Sequence, residues 1–455
     1  MRQINFALAV FAAAVLTACG GSDNNSVTTP AAPKFASQTV FGDSLSDVGT
    51  YGVGTVAALG GGKFTINGNN TAINAALTGK NWTELLAAQI GVAAPCPAVT
   101  GLEGDPASGL RVPIVENLNC TNYAQGGSRI SNPLGTQNKA TNPTFGALTY
   151  PVSKQIAMHL ARKGTFKADE LVVVFAGGNE ILALLTGLKE AAGAAGAKAG
   201  NETFAKNLTL ALAAGATNPS TAAVAIGTAI ATEAARPGST SATLVGAAVQ
   251  AAATQPGNSA VASPAVYGPM VAKAQADAAV AGTAAGNAYA SANGPALVPQ
   301  MAALGAELAG LVRTQIVAKG ATRVALVNLP DVSVTPYARA ESAATQQLIA
   351  GMVSGFNIAL RVGIDGLEDK VQYVDLATTF ADNFANPAKY GISNVTTPAC
   401  GLSALGDSSV ACSGKTIISA GVGTYLFADT LHPTPFGYTF IAKAVADSLS
   451  ARGWI

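Results

Sequence analysis

Two histidines in 455 residues, His159 and His432, are all that this chain has. Any chemistry that needs an imidazole must use one of them. Charge is scarce as well: Asp, Glu, Lys and Arg together make up 11% of the chain, against about 25% in an average soluble protein. Basic residues number 26 and acidic ones 25, for a formal net charge of +1. With no basic stripe along any segment, nucleic acid and anionic membrane surfaces are not expected partners. Cysteine occurs five times, with no CxxC pair and no Cys/His cluster, so no metal site is expected. Past the N-terminus, no uninterrupted apolar run reaches the roughly 18 residues that would suggest a membrane-spanning helix. What is abundant is apolar and small. Apolar residues make up 49% and glycines number 50, enough for a substantial core in one large domain or two ordinary ones.

The N-terminus carries an address. Arg2 is followed by an almost wholly apolar stretch, residues 4–16, broken only by Asn5. This is too short to span a bilayer and suits a signal-peptide core. It leads into Leu16-Thr17-Ala18-Cys19, which resembles the lipobox of bacterial lipoproteins. The resemblance implies a signal peptide over 1–18 and acylation of Cys19. With Gly20 rather than Asp next, it also implies an outer-membrane lipoprotein, facing the periplasm or the cell surface. Such an anchor would be the chain's only membrane contact. Residues 19–34 are polar, rich in Gly, Ser and Pro, and read as a flexible tether. The other four cysteines are an even number in an exported chain, and their proximity in sequence suggests Cys96–Cys120 and Cys400–Cys412 disulfides.

Strand and helix signals alternate through much of the rest. An extended segment reaches Val40-Phe41, and LVVVF at 171–175, RVALV at 323–327 and VQYVDL at 371–376 suit buried strands. Asn81, with Glu84 three residues on, should cap a helix. Leu348, Met352, Phe356 and Leu360 recur every four residues and mark one helical face. This alternation predicts an α/β domain with a parallel sheet, over 35–186 and 306–455. Residues 187–305 are dominated by Ala, Gly, Thr and Ser and are expected to be a mainly helical insertion, its helices marginal unless they dock.

His159 lies in a helix-like segment with no acid beside it. His432 lies in Asp429-Thr-Leu-His432-Pro433, where a carboxylate three residues ahead can fix the imidazole tautomer and stabilise its cation. His432 is therefore the better general base. Ser44 follows an apolar strand and its Gly turn in Val40-Phe41-Gly42-Asp43-Ser44-Leu45-Ser46-Asp47, with Ser46 as the next candidate. LVVVF likewise runs into Gly177-Gly178-Asn179-Glu180, and RVALV into Asn328-Leu329-Pro330-Asp331. Ligands of open α/β sheets bind at such strand ends, although each turn alone would pass for ordinary chain punctuation. Competing motifs fail. No Gly-x-Ser-x-Gly surrounds any serine, Ser413-Gly-Lys-Thr416 has Ser409 where a phosphate loop needs Gly, and no Gly-x-Gly-x-x-Gly follows a strand. No cofactor is expected.

Taken together, FGDSLSDVGT, NYAQGGSRI, GGNE and DTLHPT resemble, in order, the four conserved blocks of the GDSL or SGNH hydrolases. NLPDVSVTP and the Cys400–Cys412 loop further resemble the passenger domains of autotransporter esterases, here as a lipoprotein without their barrel. The resemblance implies a three-layer, flavodoxin-like α/β fold and a serine esterase or lipase acting through an acyl-enzyme. Ser44, Asp429 and His432 would be its triad. Its oxyanion hole would use the Ser44 N–H, the N–H of Gly126 or Gly127 (the family pattern favours Gly127) and the Asn179 amide. Glu180 stands where an Asp is more usual. Polysaccharide O-deacetylation on the same fold and a non-catalytic surface lipoprotein are the rival expectations. The lipobox has its own test: Cys19→Ser should leave unprocessed precursor and no outer-membrane protein, and the wild type should incorporate palmitate. An unlabelled wild type would refute the anchor.

Overall fold

The computed structural model describes residues 35–68 and 77–455. The expected signal peptide over 1–18, Cys19 and the expected tether over 19–34 lie outside them. In chain order the strands are β1 (Ser37–Gly42), β2 (Val99–Glu103), β3 (Arg111–Glu116), β4 (Glu170–Phe175), β5 (Val324–Val327) and β6 (Val371–Val374). Four of them form a parallel sheet in the order β1-β4-β5-β6, and β2 and β3 make a separate antiparallel ribbon. The sheet expected from the alternating signals is therefore present. Strands β4 and β5 are buried along their whole length, as central parallel strands covered on both faces must be. Residues 121–125 extend the sheet beyond β1: Val40 donates to the Thr121 carbonyl at 3.0 Å, and Tyr123 donates back to Val40 at 2.8 Å.

The helices are α1 (Gly54–Ala58), α2 (Trp82–Gln89), α3 (Val152–Lys163), α4 (Gly178–Ala213), α5 (Pro219–Ala234) and α6 (Ser241–Ala253). There follow α7 (Pro264–Asn293), α8 (Leu297–Leu311), α9 (Pro336–Arg339), α10 (Ala343–Gly363), α11 (Leu376–Ala385) and α12 (Pro435–Ala451). Helix α2 starts in the expected capping box. The Asn81 side chain accepts from the Thr83 N–H at 3.0 Å, and Glu84 accepts from the Asn81 N–H at 2.9 Å. From β1, Gln38 donates to the Thr83 carbonyl in α2 (3.3 Å), whereas Phe41 packs edge-on against His159 of α3 (5.8 Å between centroids). Positions of opposite parity point to opposite sides of a strand, so α2 and α3 cover opposite faces of the sheet. Helix α12 packs on α2, β5 and β6, while α8 and α10 pack on each other. Met352, Phe356 and Leu360 of α10 are buried as expected, with Leu348 at the edge of the core.

The Ala-rich stretch is helical, but its edges are not where composition changes. Position 187 falls inside α4, one continuous helix of 36 residues that begins at Gly178. Position 305 falls inside α8, whose Leu297, Met301 and Leu308 belong to the main core. A Cβ on Gly305 would lie 2.3 Å from the Phe356 carbonyl oxygen, so α8 is pressed directly onto α10. The main core thus reaches back to Leu297. Its stalk is α4 against α7. A Cβ on Gly196 would meet the Gly282 carbonyl oxygen at 2.7 Å, and Cβ atoms on Gly200 and Gly286 would meet those of Ala278 and Ala192 at 3.2 Å. These pairs run in opposite directions, so the helices are antiparallel, and only small residues let them come so close. Farther out, α5 and α6 dock through Leu208, Leu212, Ile226, Ile230 and Ala248 into a core of their own. Both inferred disulfides form, with Cα–Cα distances of 5.1 Å for Cys96–Cys120 and 6.0 Å for Cys400–Cys412.

His159 is a core residue. Its ring stacks on Phe166 (4.4 Å) and meets Phe41 and Tyr123 edge-on, and neither nitrogen has a hydrogen-bond partner among the described residues. Burial, helped by Lys163 and Arg162, pushes its pKa down to about 4. A base whose folded pKa lies below its unfolded value is held neutral by the fold. The unfolded chain then binds more protons, so this contribution to stability is complete above about pH 6.5 and is lost as pH falls toward 4. His159→Phe should therefore lose less stability between pH 7 and 4.5 than the wild type, by up to about 3 kcal/mol. Urea midpoints of the two proteins at both pH values check this, and equal losses would refute it.

Candidate active site

The site is built at the carboxyl ends of β1 and β4. A Cβ on Gly42 would lie 2.3 Å from the Phe175 carbonyl oxygen, so only glycine lets the two strand ends approach this closely. Gln155 of α3 holds that glycine from both sides, accepting from its N–H at 2.9 Å and donating to its carbonyl at 2.8 Å. The chain then turns, with Ser46 N–H on the Asp43 carbonyl at 3.0 Å, and the turn presents Ser44. After β4, Gly177 adopts a φ of 125° where a side chain would strike the Phe356 ring. That bend starts α4 with Gly178 and Asn179 facing Ser44 across a shared cavity of about 710 Å³. Leu329, Pro330 and Asp331, after β5, line the same cavity. All three strand-end turns therefore converge.

His432 Nε2 lies 2.8 Å from Ser44 Oγ, and its Nδ1 lies 2.9 and 2.8 Å from the two oxygens of Asp429. The Asp429 carboxylate is itself held by its neighbours. Oδ1 accepts from the Leu431 and His432 N–H groups at 2.9 and 2.8 Å, and Oδ2 accepts from the N–H and hydroxyl of Ser409 at 2.9 and 2.5 Å. Burial alone would raise this carboxyl; the neighbouring His432 and these donors outweigh it and hold Asp429 well below the usual carboxylate range. The Phe64 ring lies against the imidazole (4.9 Å between centroids), and Thr65 ties the segment down through the Pro433 carbonyl at 2.9 Å.

Across the cavity lies the Gly126–Gly127 turn. Gly126 donates its N–H to Asp47 Oδ2 at 2.9 Å, and Asp47 Oδ1 accepts from Gly49 and Thr50, both at 2.8 Å. Burial pushes Asp47 up to about 6 against the pull of these donors. Asp43, also buried, is pushed up to about 6. Gly127, at φ +81°, lines the cavity, and its N–H has no hydrogen-bond partner among the described residues. The Ser44 N–H is likewise uncommitted. Asn179 donates one amide hydrogen to the Ser128 carbonyl at 2.9 Å and accepts from the Thr136 hydroxyl at 2.7 Å. Its second amide hydrogen remains. Glu180 points away from the cavity. It accepts from the Ile130 N–H at 2.8 Å and pairs with Arg129, clamping the glycine turn to the start of α4.

Ser44, Asp429, His432, Gly127 and Asn179 thus meet around one cavity. Gly126, left open beside Gly127, has its N–H occupied. Ser46 is fully buried with no partner for its hydroxyl among the described residues, and His159 is in the core. Sequence reasoning missed Ser409, Thr136 and Phe64, and it did not see that Asp47 anchors Gly126. Only Asp47 carried a visible signal, as the second acid of GDSLSD. Against known proteins, the chain matches no family model and no curated protein.

The Arg129–Glu180 pair gives a direct check on this construction. Glu180→Gln removes the charge opposite a largely buried guanidinium, and should cost about 3 kcal/mol of stability. Denaturant unfolding measures it; a change below about 0.5 kcal/mol, the size of an ordinary surface substitution, would show that the clamp carries no weight.

Proposed function

We propose that this protein is a serine carboxylic ester hydrolase of the GDSL or SGNH type, working through an acyl-enzyme. The observation that carries the reading is the hydrogen-bonded series Ser44 Oγ, His432 Nε2, His432 Nδ1, Asp429, opening on a cavity that also holds uncommitted donors. The sheet order supports it. With residues 121–125 beside β1, the order of parallel segments becomes 2-1-3-4-5, that of flavodoxin-like folds, whose ligands bind where the order reverses.

In the proposed reaction His432 Nε2 takes the Ser44 proton as Oγ attacks the ester carbonyl carbon. Negative charge then develops on the carbonyl oxygen, beside the N–H groups of Ser44 and Gly127 and the free amide hydrogen of Asn179. These donors are already in place, so they need no reorganisation as charge appears. The imidazolium returns its proton to the leaving alkoxide, which departs and leaves Ser44 acylated. Water, deprotonated by the same nitrogen, then attacks the acyl carbon. The Ser44 oxygen leaves and is reprotonated, and a carboxylic acid is released. Asp429 stays ionised throughout, fixing the tautomer and stabilising the cation.

Side chains such as Leu45, Leu182, Leu329, Val332 and Phe380 line the cavity and suit an apolar acyl group better than a sugar, which favours esterase or lipase activity over polysaccharide deacetylation. A non-catalytic surface lipoprotein would have no use for the Ser44–His432 contact. With the lipobox, the enzyme would act at the outer membrane on lipid or small acyl esters.

A fluorophosphonate probe should label the wild type and neither Ser44→Ala nor His432→Ala. Asn179→Ala should lower kcat on a p-nitrophenyl ester by about 10²- to 10³-fold with little change in KM, because the donor serves the intermediate more than the ground state. A lowered melting temperature with kcat intact would make Asn179 scaffold rather than site.

A further inference from the structure

A primary amide has one acceptor oxygen and two donor hydrogens, and the environment of Asn179 uses all but one of them. Its Nδ2 faces the Ser128 carbonyl at 2.9 Å. A carbonyl can only accept, so the reversed amide, with Oδ1 against that oxygen, is disfavoured. Its Oδ1 in turn faces the Thr136 hydroxyl at 2.7 Å. With the oxygen occupied as an acceptor, that hydroxyl must be the donor. Donation to the amide oxygen draws electron density from the nitrogen and makes the remaining N–H a stronger donor, the direction in which hydrogen bonds in series reinforce one another.

Thr136 also braces the second donor. Its N–H donates to the Gly127 carbonyl at 3.1 Å, and a Cβ on Gly127 would lie 2.1 Å from the Thr136 carbonyl oxygen. The backbone at 135–136 therefore backs directly onto the glycine turn, with its hydroxyl reaching across to α4. Thr136 itself lines the cavity. One residue thus holds Gly127 through its backbone and Asn179 through its side chain.

We propose that Thr136 is a positioning residue whose hydroxyl sets the aim and donor strength of Asn179. The proposal rests on the hydrolase reading above, and the hydroxyl acts through the amide it donates to. Removing the hydroxyl leaves Asn179 present but less firmly held and less polarised, so the loss falls on the transition state and spares ground-state binding.

Thr136→Val keeps the shape and removes the hydroxyl. It should lower kcat on a neutral p-nitrophenyl ester by about tenfold, the effect of one buried hydrogen bond, with KM within about twofold. Thr136→Ser should return kcat to within about threefold of wild type. In an Asn179→Ala background, Thr136→Val should change kcat by less than about twofold, since the group it acts through is gone. Active-site titration with a fluorophosphonate normalises kcat to folded enzyme, and Thr136→Ala takes the place of the valine variant if that one does not fold. If Asn179→Ala is crippling while Thr136→Val is silent, or if the two losses multiply, this inference falls and the hydrolase reading stands. If Asn179→Ala is itself silent on a folded enzyme, the oxyanion role falls and takes the inference with it.

Discussion

The arrangement depends on a buried carboxylate that remains charged. Asp429 is almost wholly removed from water, and an isolated carboxylate there would take up a proton rather than stay ionised. It is spared because five donors converge on it: two backbone N–H groups from its own turn, the His432 ring, and the N–H and hydroxyl of Ser409. Two of the five come from a short turn (Ser409–Ala411) lying within the loop that the Cys400–Cys412 disulfide closes. Without that loop the carboxylate would lose both Ser409 donors on Oδ2, two of the five that offset its burial. The disulfide closes the loop that carries them.

The opposite wall depends on the start of α4. The helix opens with Gly178, Asn179 and Glu180. Asn179 faces the cavity, and Glu180 faces backward to grip Arg129 and the Ile130 N–H. Consecutive helical residues point about 100° apart, which lets one turn of helix both present a donor and clamp the loop that carries the other. The same helix continues without a break into the stalk of the insertion, where glycines on α4 and α7 let the two backbones touch. The start of α4 at the cavity and the Ala-rich helices are thus joined through one continuous helix.

Some of this was legible in the sequence because it is local. Asp429 and His432 are three residues apart, so one turn brings carboxylate and imidazole together whatever the rest of the chain does. Ser44 follows a β-branched and aromatic strand by two residues, and strand ends are where α/β sheets present reactive groups. The capping box of α2 and the buried face of α10 follow from spacing alone. The edges of the insertion were not legible. Composition stays rich in alanine through α8, whereas what assigns α8 to the core is Leu297, Met301 and Leu308 against α10, a matter of which surface is within reach. Ser409 gave no signal, since a serine in a loop is ordinary until a carboxylate twenty residues away turns out to face it.

The sequence by itself determined the alternation that makes a parallel α/β sheet, the histidine with an acid beside it, the serine at a strand end, and the pairing of four cysteines. Each follows from short-range chemistry: side-chain period, turn geometry, or proximity along the chain. Tertiary structure alone decided that Ser44 and His432, 388 residues apart, stand at 2.8 Å, that Gly127 rather than Gly126 keeps its N–H uncommitted among the described residues, and that the Thr136 hydroxyl meets the Asn179 amide oxygen at 2.7 Å. Those are contacts between segments distant in the chain. Their geometry is set by how closely Gly42 lets β1 approach β4 and by where the packed helices bring their loops, and a one-dimensional pattern does not encode distances across a sheet.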